Sequence, residues 1–237
     1  MSSTPDVITC DFTDGQAQAV ALAGRIAGQL REALRERGSA VLAVSGGSTP
    51  KALFDHLSRE PLDWARVHVT LVDERWVPDT DERSNARLVK ALLLRNAAQA
   101  ARFVPLYTGA ATPEDGLDEA RRRIDALPAP FDVVVLGMGD DGHTASFFPG
   151  GDRLAEALDI DGPTRVLPMR APGAGEPRIT LSLPAVLDTR ALYLLVSGAT
   201  KRDVLAAARQ GEGEARHYPV RAVLTQTRAP LSIYWCP

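Results

Sequence analysis

Short apolar runs alternate along this chain with segments of helical spacing, and four of the runs end in polar, glycine-rich or charged loops. Ala40-Val41-Leu42-Ala43-Val44 leads into Ser45-Gly46-Gly47-Ser48-Thr49-Pro50, and Val67-His68-Val69-Thr70-Leu71-Val72 into Asp73-Glu74-Arg75-Trp76. Phe131-Asp132-Val133-Val134-Val135-Leu136 leads into Gly137-Met138-Gly139-Asp140-Asp141-Gly142-His143, and Leu192-Tyr193-Leu194-Leu195-Val196 into Ser197-Gly198-Ala199-Thr200-Lys201. Apolar runs of this length, closed by turn residues, are buried strands. Over residues 16–37, Ala19, Ala23, Ile26, Ala27, Leu30, Ala33 and Leu34 recur at helical spacing, with Gly38 as the stop. Strands that alternate with helices need right-handed crossovers and a mainly parallel sheet covered on both faces. The pattern predicts a three-layer α/β/α sandwich with a mainly parallel, Rossmann-like sheet, in one domain over residues 1–237. In open sheets of this kind ligands gather at the carboxyl ends of the strands, so the four loops are expected on one chemically active edge.

The other elements are weaker signals. A helix is expected over residues 51–57, with Pro50 in its first turn and Thr49 as its cap. Another opens near Ser84 and carries Leu88, Leu92 and Leu93, and residues 113–127 form an amphipathic segment. Residues 179–183 read as a short strand and residues 231–235 as the last one, while a helix follows Lys201 as far as Ala208. Gly and Pro crowd the stretch 150–177, which is expected to be irregular loop.

Composition narrows the class of function. A net charge of −3 provides no basic field for nucleic acid. The run Arg121-Arg122-Arg123 fits the solvated face of a helix. Cys10 and Cys236 lie near opposite ends with neither metal spacing nor a CxxC pattern, which suits inert thiols in a reducing compartment. Residues 1–6 carry no basic segment or apolar core of a leader, and no stretch approaches the ~20 apolar residues of a membrane span. A cytoplasmic location is therefore expected, with no membrane, nucleic acid or obligate protein partner.

Each loop admits more than one use. Gly137 to His143 puts three glycines, an Asp and a His at the mouth of a turn, and histidine is the side chain whose ordinary pKa, ~6.5, lies nearest working pH. That combination fits a proton-transfer station. The same run matches GxGxxG, but two carboxylates in the turn would repel a pyrophosphate, and Pro149 shortens any following helix. Gly46, Gly47, Ser48 and Thr49 offer backbone N–H groups and hydroxyls at a helix start, suited to phosphate or simply to a tight turn. Arg75 can clamp a phosphate or pair with a surface carboxylate, and Lys201 can reach the same anion or lie in solvent. His68 sits within an apolar strand, and His56 and His217 fit surface or packing roles; no two histidines have metal-ligand spacing, so no metal is inferred. There is no GxSxG elbow for a serine nucleophile.

Taken together, Ser45 to Pro50, Asp73 to Pro78 with Ser84-Asn85, Gly137 to Pro149, Arg178 to Leu181 and Gly198 to Lys201 resemble the glucosamine-6-phosphate isomerase/6-phosphogluconolactonase family. The most specific part is Gly139-Asp140-Asp141-Gly142-His143-Thr144-Ala145-Ser146 followed by Phe148-Pro149. The resemblance implies the fold of glucosamine-6-phosphate deaminases and ribose-phosphate isomerases. It also implies metal- and cofactor-free hydrolysis of 6-phospho-D-glucono-1,5-lactone, in the oxidative pentose phosphate pathway. His143 would be the general base and Asp141 its orienting partner, with Arg75, Arg178 and Lys201 as candidates for the substrate phosphate. Gly46, Gly47, Ser48, Thr49, Asp73, Asn85 and Gly139 would complete the substrate site. N–H groups of the glycine loop are expected to receive the oxyanion. Two rivals share these loops. An amino-sugar-phosphate isomerase or deaminase would shuttle a proton between C1 and C2. A non-catalytic sugar-phosphate sensor would need a DNA-binding segment, for which a first strand near Val7 leaves no room.

Overall fold

The structure is a computed structural model that describes residues 7–237; the expectation about residues 1–6 lies outside the described residues. In chain order the elements are β1 (Ile8–Asp11), α1 (Gly15–Arg37), β2 (Ala40–Val44), α2 (Lys51–Leu57), β3 (Val67–Leu71), β4 (Asp73–Arg75), α3 (Asn85–Leu92), β5 (Arg102–Val104) and α4 (Leu117–Asp125). There follow β6 (Val133–Leu136), α5 (Leu154–Leu158), β7 (Val166–Met169), β8 (Arg178–Leu181), α6 (Leu183–Leu187), β9 (Leu192–Ser197), α7 (Ala199–Gln210), α8 (Val220–Thr225) and β10 (Leu231–Cys236).

The large sheet has the order β1-β10-β9-β6-β2-β3-β5, and every pair in it is parallel. β2, at all five positions, and β6, at all four, are buried, so both faces of the sheet are covered. The expected three-layer α/β architecture is therefore the one observed. α1 packs against β2, β6 and β10, with Leu22, Ile26 and Leu30 fully buried. Asp14 caps its start by accepting from the Ala17 N–H at 2.8 Å. Gly38 ends it at φ +79°, the left-handed conformation that favours glycine.

β2 and β6 are adjacent although the chain visits β3 and β5 between them. Strand order reverses there, and the groove beyond the strand ends at such a reversal is where an open α/β sheet binds ligands. The Ser45 N–H donates to the Val135 carbonyl at 2.9 Å, and Ser45 Oγ accepts from the Gly137 N–H at 3.1 Å. The loops after β2 and β6 are thereby tied together at their roots.

Several expectations need correction. Asp73 to Arg75 form not a loop but β4, in a second, antiparallel sheet of order β4-β8-β7. The stretch 150–177 is not wholly irregular, since it contains α5 and β7. Thr49 does not cap α2: Pro50 occupies the cap, no side chain bonds there, and Thr49 Oγ1 lies 3.5 Å from Ser197 Oγ. The strand expected over residues 179–183 ends at Leu181, and Leu183 instead opens α6, capped by Ser182 with Pro184 in the first turn. The Arg121-Arg122-Arg123 run is only partly solvated, because Arg123 reaches the carbonyls of Pro105 and Tyr107. Among the described residues no helix is long and apolar enough to cross a membrane.

Candidate active site

A cavity of about 270 Å³ opens at the carboxyl edge of the large sheet, where the loops after β2, β6 and β9 meet β4 and β8. Of the residues expected in the site, Gly46, Gly47, Ser48, Thr49, Asp73, Arg75, Asn85, Gly139, His143, Arg178 and Lys201 all line it. Asp141 does not; it stands behind the His143 imidazole.

The loop after β6 is folded by its own hydrogen bonds. The Gly139 N–H donates to the His143 carbonyl at 2.9 Å and the Gly142 N–H to the Gly139 carbonyl at 3.1 Å. Gly142 sits at φ +74°, so the turn needs a residue without a Cβ there. His143 Nδ1 lies 2.6 Å from Asp141 Oδ1, and the same oxygen accepts the His143 N–H at 3.1 Å. A carboxylate at Nδ1 holds the proton on that nitrogen and leaves the Nε2 lone pair for another partner. Burial raises the Asp141 carboxyl, but the bonds from the His143 imidazole and backbone together outweigh it and hold the group below its ordinary value. Gly139 permits this arrangement by close approach: a Cβ there would come within 2.2 Å of both His143 Cε1 and Nδ1.

The small sheet supplies two of the cations, Arg75 and Arg178. In the register of β4 and β8, Arg75 faces Arg178 and Asp73 faces Thr180. Two like charges directly opposite each other are destabilising unless an anion lies between or near them. Asp73 Oδ2 compensates in part, 3.9 Å from Arg178 Nη1, and also accepts from Ser146 Oγ at 2.6 Å. Burial lowers the Arg178 guanidinium below its ordinary value. Its Nε and Nη2 donate to the Ala174 carbonyl at 3.3 and 2.7 Å. Arg75 is more available: one Nη1 donates to the Arg83 carbonyl, while its Nε is buried with no partner among the described residues. Lys201 lies in the first turn of α7, the end of a helix where a cation is least favoured, and has no ion-pair partner among the described residues. Unspent donors and an unfavourably placed ammonium around one cavity are an arrangement for binding an anion.

The structure narrows which donors of the glycine loop could meet an oxyanion. The N–H groups of Gly137, Gly139 and Gly142 are already spent inside the protein. Those of Gly46, Gly47, Ser48 and Thr49 have no protein acceptor among the described residues. The loop after β2 therefore offers a run of four free backbone donors, whereas the three glycines of the loop that carries His143 offer none. Gly46 is required for that loop to pass Asn85, since a Cβ would meet Asn85 Oδ1 at 1.9 Å.

Two contributors were not foreseen. Glu74 faces neither cavity nor solvent; it lies in β4, fully buried against the start of α3. Its Oε1 accepts the N–H groups of Arg75 and Asn85, each at 2.8 Å, and its Oε2 accepts Ser84 Oγ at 3.0 Å and the Ala86 N–H at 2.7 Å. Burial pushes this carboxyl above its ordinary value against the pull of these donors. Glu74 therefore pins the strand that carries Arg75 to the helix that carries Asn85. Glu74→Gln would turn an amide NH₂ toward two donors and should destabilise the fold by about 1–3 kcal/mol. Urea unfolding measures this, and an unchanged midpoint would count against the pinning role. The signal in the sequence was the cap residue Ser84 beside Asn85, but nothing local says which acid reaches it. Phe148 is the second contributor, with its ring stacked on the His143 imidazole. Among the described residues no three His, Cys, Asp or Glu side chains are grouped so as to hold a metal ion.

Residues 13–235 match the family described as glucosamine-6-phosphate isomerases/6-phosphogluconolactonase. The chain is 53% identical over 226 residues to a 6-phosphogluconolactonase of Rhizobium meliloti, covering 95% of this chain and 97% of the relative. It is 50% identical over 226 residues to one of Mesorhizobium japonicum, covering 95% and 94%. The crystal structure of a 6-phosphogluconolactonase from Shewanella baltica superposes with a TM-score of 0.91 at 41% identity, covering 99% of each chain.

Proposed function

The chain belongs to the glucosamine-6-phosphate isomerase/6-phosphogluconolactonase family, and we propose that it hydrolyses 6-phospho-D-glucono-1,5-lactone to 6-phospho-D-gluconate. A δ-lactone is a cyclic carboxylic ester, and the relatives' shared name is that of a hydrolase of this ester. One observation carries the assignment within the site. An Asp-oriented imidazole opens onto the same cavity as Arg75, Arg178 and Lys201.

The proposed chemistry uses this chain's own groups. His143 Nε2 takes a proton from water as the water oxygen bonds to C1 of the lactone. General base catalysis of this kind typically contributes ~10²–10⁴-fold. Asp141 holds the imidazole's tautomer and stabilises the imidazolium once it forms. The carbonyl oxygen, as it gains charge, is met by free N–H groups of the loop from Gly46 to Thr49. His143 then returns the proton to the ring oxygen as the bond between C1 and that oxygen breaks. The product is an acid that ionises at neutral pH, so each turnover releases a proton. Arg75 and Lys201 hold the remote phosphate, and Arg178 adds positive charge to the same wall. Anchoring the tail brings C1 within reach of the base and converts an encounter into a positioned reaction. We further propose that the product feeds the oxidative pentose phosphate pathway.

Freshly made lactone added to the protein should release protons faster than the spontaneous background. No acceleration would overturn the assignment. Ammonia released from glucosamine 6-phosphate would instead favour the isomerase or deaminase side of the family.

A further inference from the structure

The Asp141 bond fixes one atom of the His143 ring. With the covalent link at Cγ beside it, that bond holds one edge of the ring, but coupled rotations about the two side-chain torsions can still tilt the plane and displace Nε2 at the opposite edge. Something must set the plane. The Phe148 ring lies with its centroid 4.4 Å from that of His143 and its plane 28° from parallel. The same ring lies under the Arg178 guanidinium, whose central carbon is 5.3 Å from the ring centroid. Phe148 lines the cavity but is only 3% exposed, so protein atoms hold most of its surface. The chain returns to His143 through Ala145, which takes φ +49°, in the region that favours glycine. Non-glycine residues persist there only when the surroundings impose it, and such positions cluster at functional sites.

Resting on the assignment of His143 as the base, we propose that Phe148 is a positioning residue for this reaction. It fixes the plane of the imidazole and offers a ring face to the imidazolium that forms during turnover. Benzene faces carry partial negative charge and attract cations, more strongly where water is excluded. The imidazole is neutral before the proton moves and positive after, so the attraction grows along the reaction and lowers its barrier. The contact with Arg178 ties the same ring to the β4–β8 sheet, which links the plane of the base to the wall that carries the cations.

Four measurements test this. Phe148→Leu keeps apolar bulk and removes the face; it should lower kcat about ten-fold. Phe148→Tyr keeps the face and should restore most of that loss. In a His143→Gln background Phe148→Leu should cost nothing more, because the ring acts through the imidazole. An equal loss in both backgrounds would mean general packing and would overturn the proposal. The fourth measurement needs no turnover. In the free protein the His143 Cε1–H resonance should be shifted upfield by the stacked ring, and Phe148→Leu should move it back. A resonance that does not move between wild type and Phe148→Leu would also overturn it. Wild-type protein that fails to hydrolyse the lactone yet shows the shifted resonance would sink the assigned reaction while leaving the stack established. Thermal unfolding of each variant identifies one that has failed to fold; if Phe148→Leu does, Phe148→Met, which also removes the ring face, takes its place in both backgrounds and must show the same loss only where His143 is present.

Discussion

Replacing His143 with alanine should lower kcat by about 10²–10⁴-fold and leave the fold in place. The side chain is 31% exposed and its one strong partner, Asp141, is 46% exposed, so little buried structure depends on it. Removing a half-buried ring stacked on Phe148 should cost no more than about 1–2 kcal/mol, which leaves the protein folded. Loss of the base removes the acceptor for the water proton but leaves the cationic wall and the free donors of the loop after β2. Residual activity above the spontaneous rate is therefore expected, and KM should change little. Asp141→Asn should fall between His143→Ala and wild type. Its carboxylate sits below the ordinary value and stays ionised throughout the neutral range, and the amide would favour the wrong tautomer. Initial rates of proton release, with circular dichroism as the folding control, measure both. Full activity in His143→Ala would end the assignment of the base.

Arg75→Ala should raise KM for the phosphorylated lactone by about 10–100-fold, the range for losing hydrogen bonds to a charged group. For glucono-1,5-lactone, which lacks the phosphate, the same substitution should have almost no effect. Comparing the two substrates removes the indirect consequence of losing the bond from Arg75 to the Arg83 carbonyl, since a displaced loop would affect both. Arg75→Lys should recover only part of the binding, because an ammonium restores the charge without the planar fork. Equal KM values for wild type and Arg75→Ala with the phosphorylated substrate would remove Arg75 from the anchor.

Much of the scaffold was legible because its signals are local. β2, β3, β6 and β9 are runs of apolar residues closed by turn residues, and α1 has an uninterrupted helical stripe and a glycine stop. Those features act within a few residues and do not depend on what packs against them. The elements that were missed are short and draw their stability from elsewhere. β4 has three residues and β7 contains a proline, so neither announces a strand; each exists because β8 offers it an antiparallel partner. Thr49 looked like a cap by residue type, yet the cap position fell to Pro50, and the threonine hydroxyl turned toward Ser197. The oxyanion donors were expected on the glycine loop because glycines permit close approach. Whether an N–H is free depends on what it already bonds, and that is decided by the folded turn.

From the sequence alone came the parallel sheet, the edge on which its loops gather, and the residue types suited to acid–base work and anion binding. Tertiary structure alone set Arg75 opposite Arg178, buried Glu74 between a strand and a helix, and laid Phe148 on His143. The division has a physical cause. Backbone periodicity and turn chemistry are properties of neighbouring residues, whereas strand register, hydrogen-bond satisfaction and ring stacking are settled between segments that meet only when the chain has closed on itself.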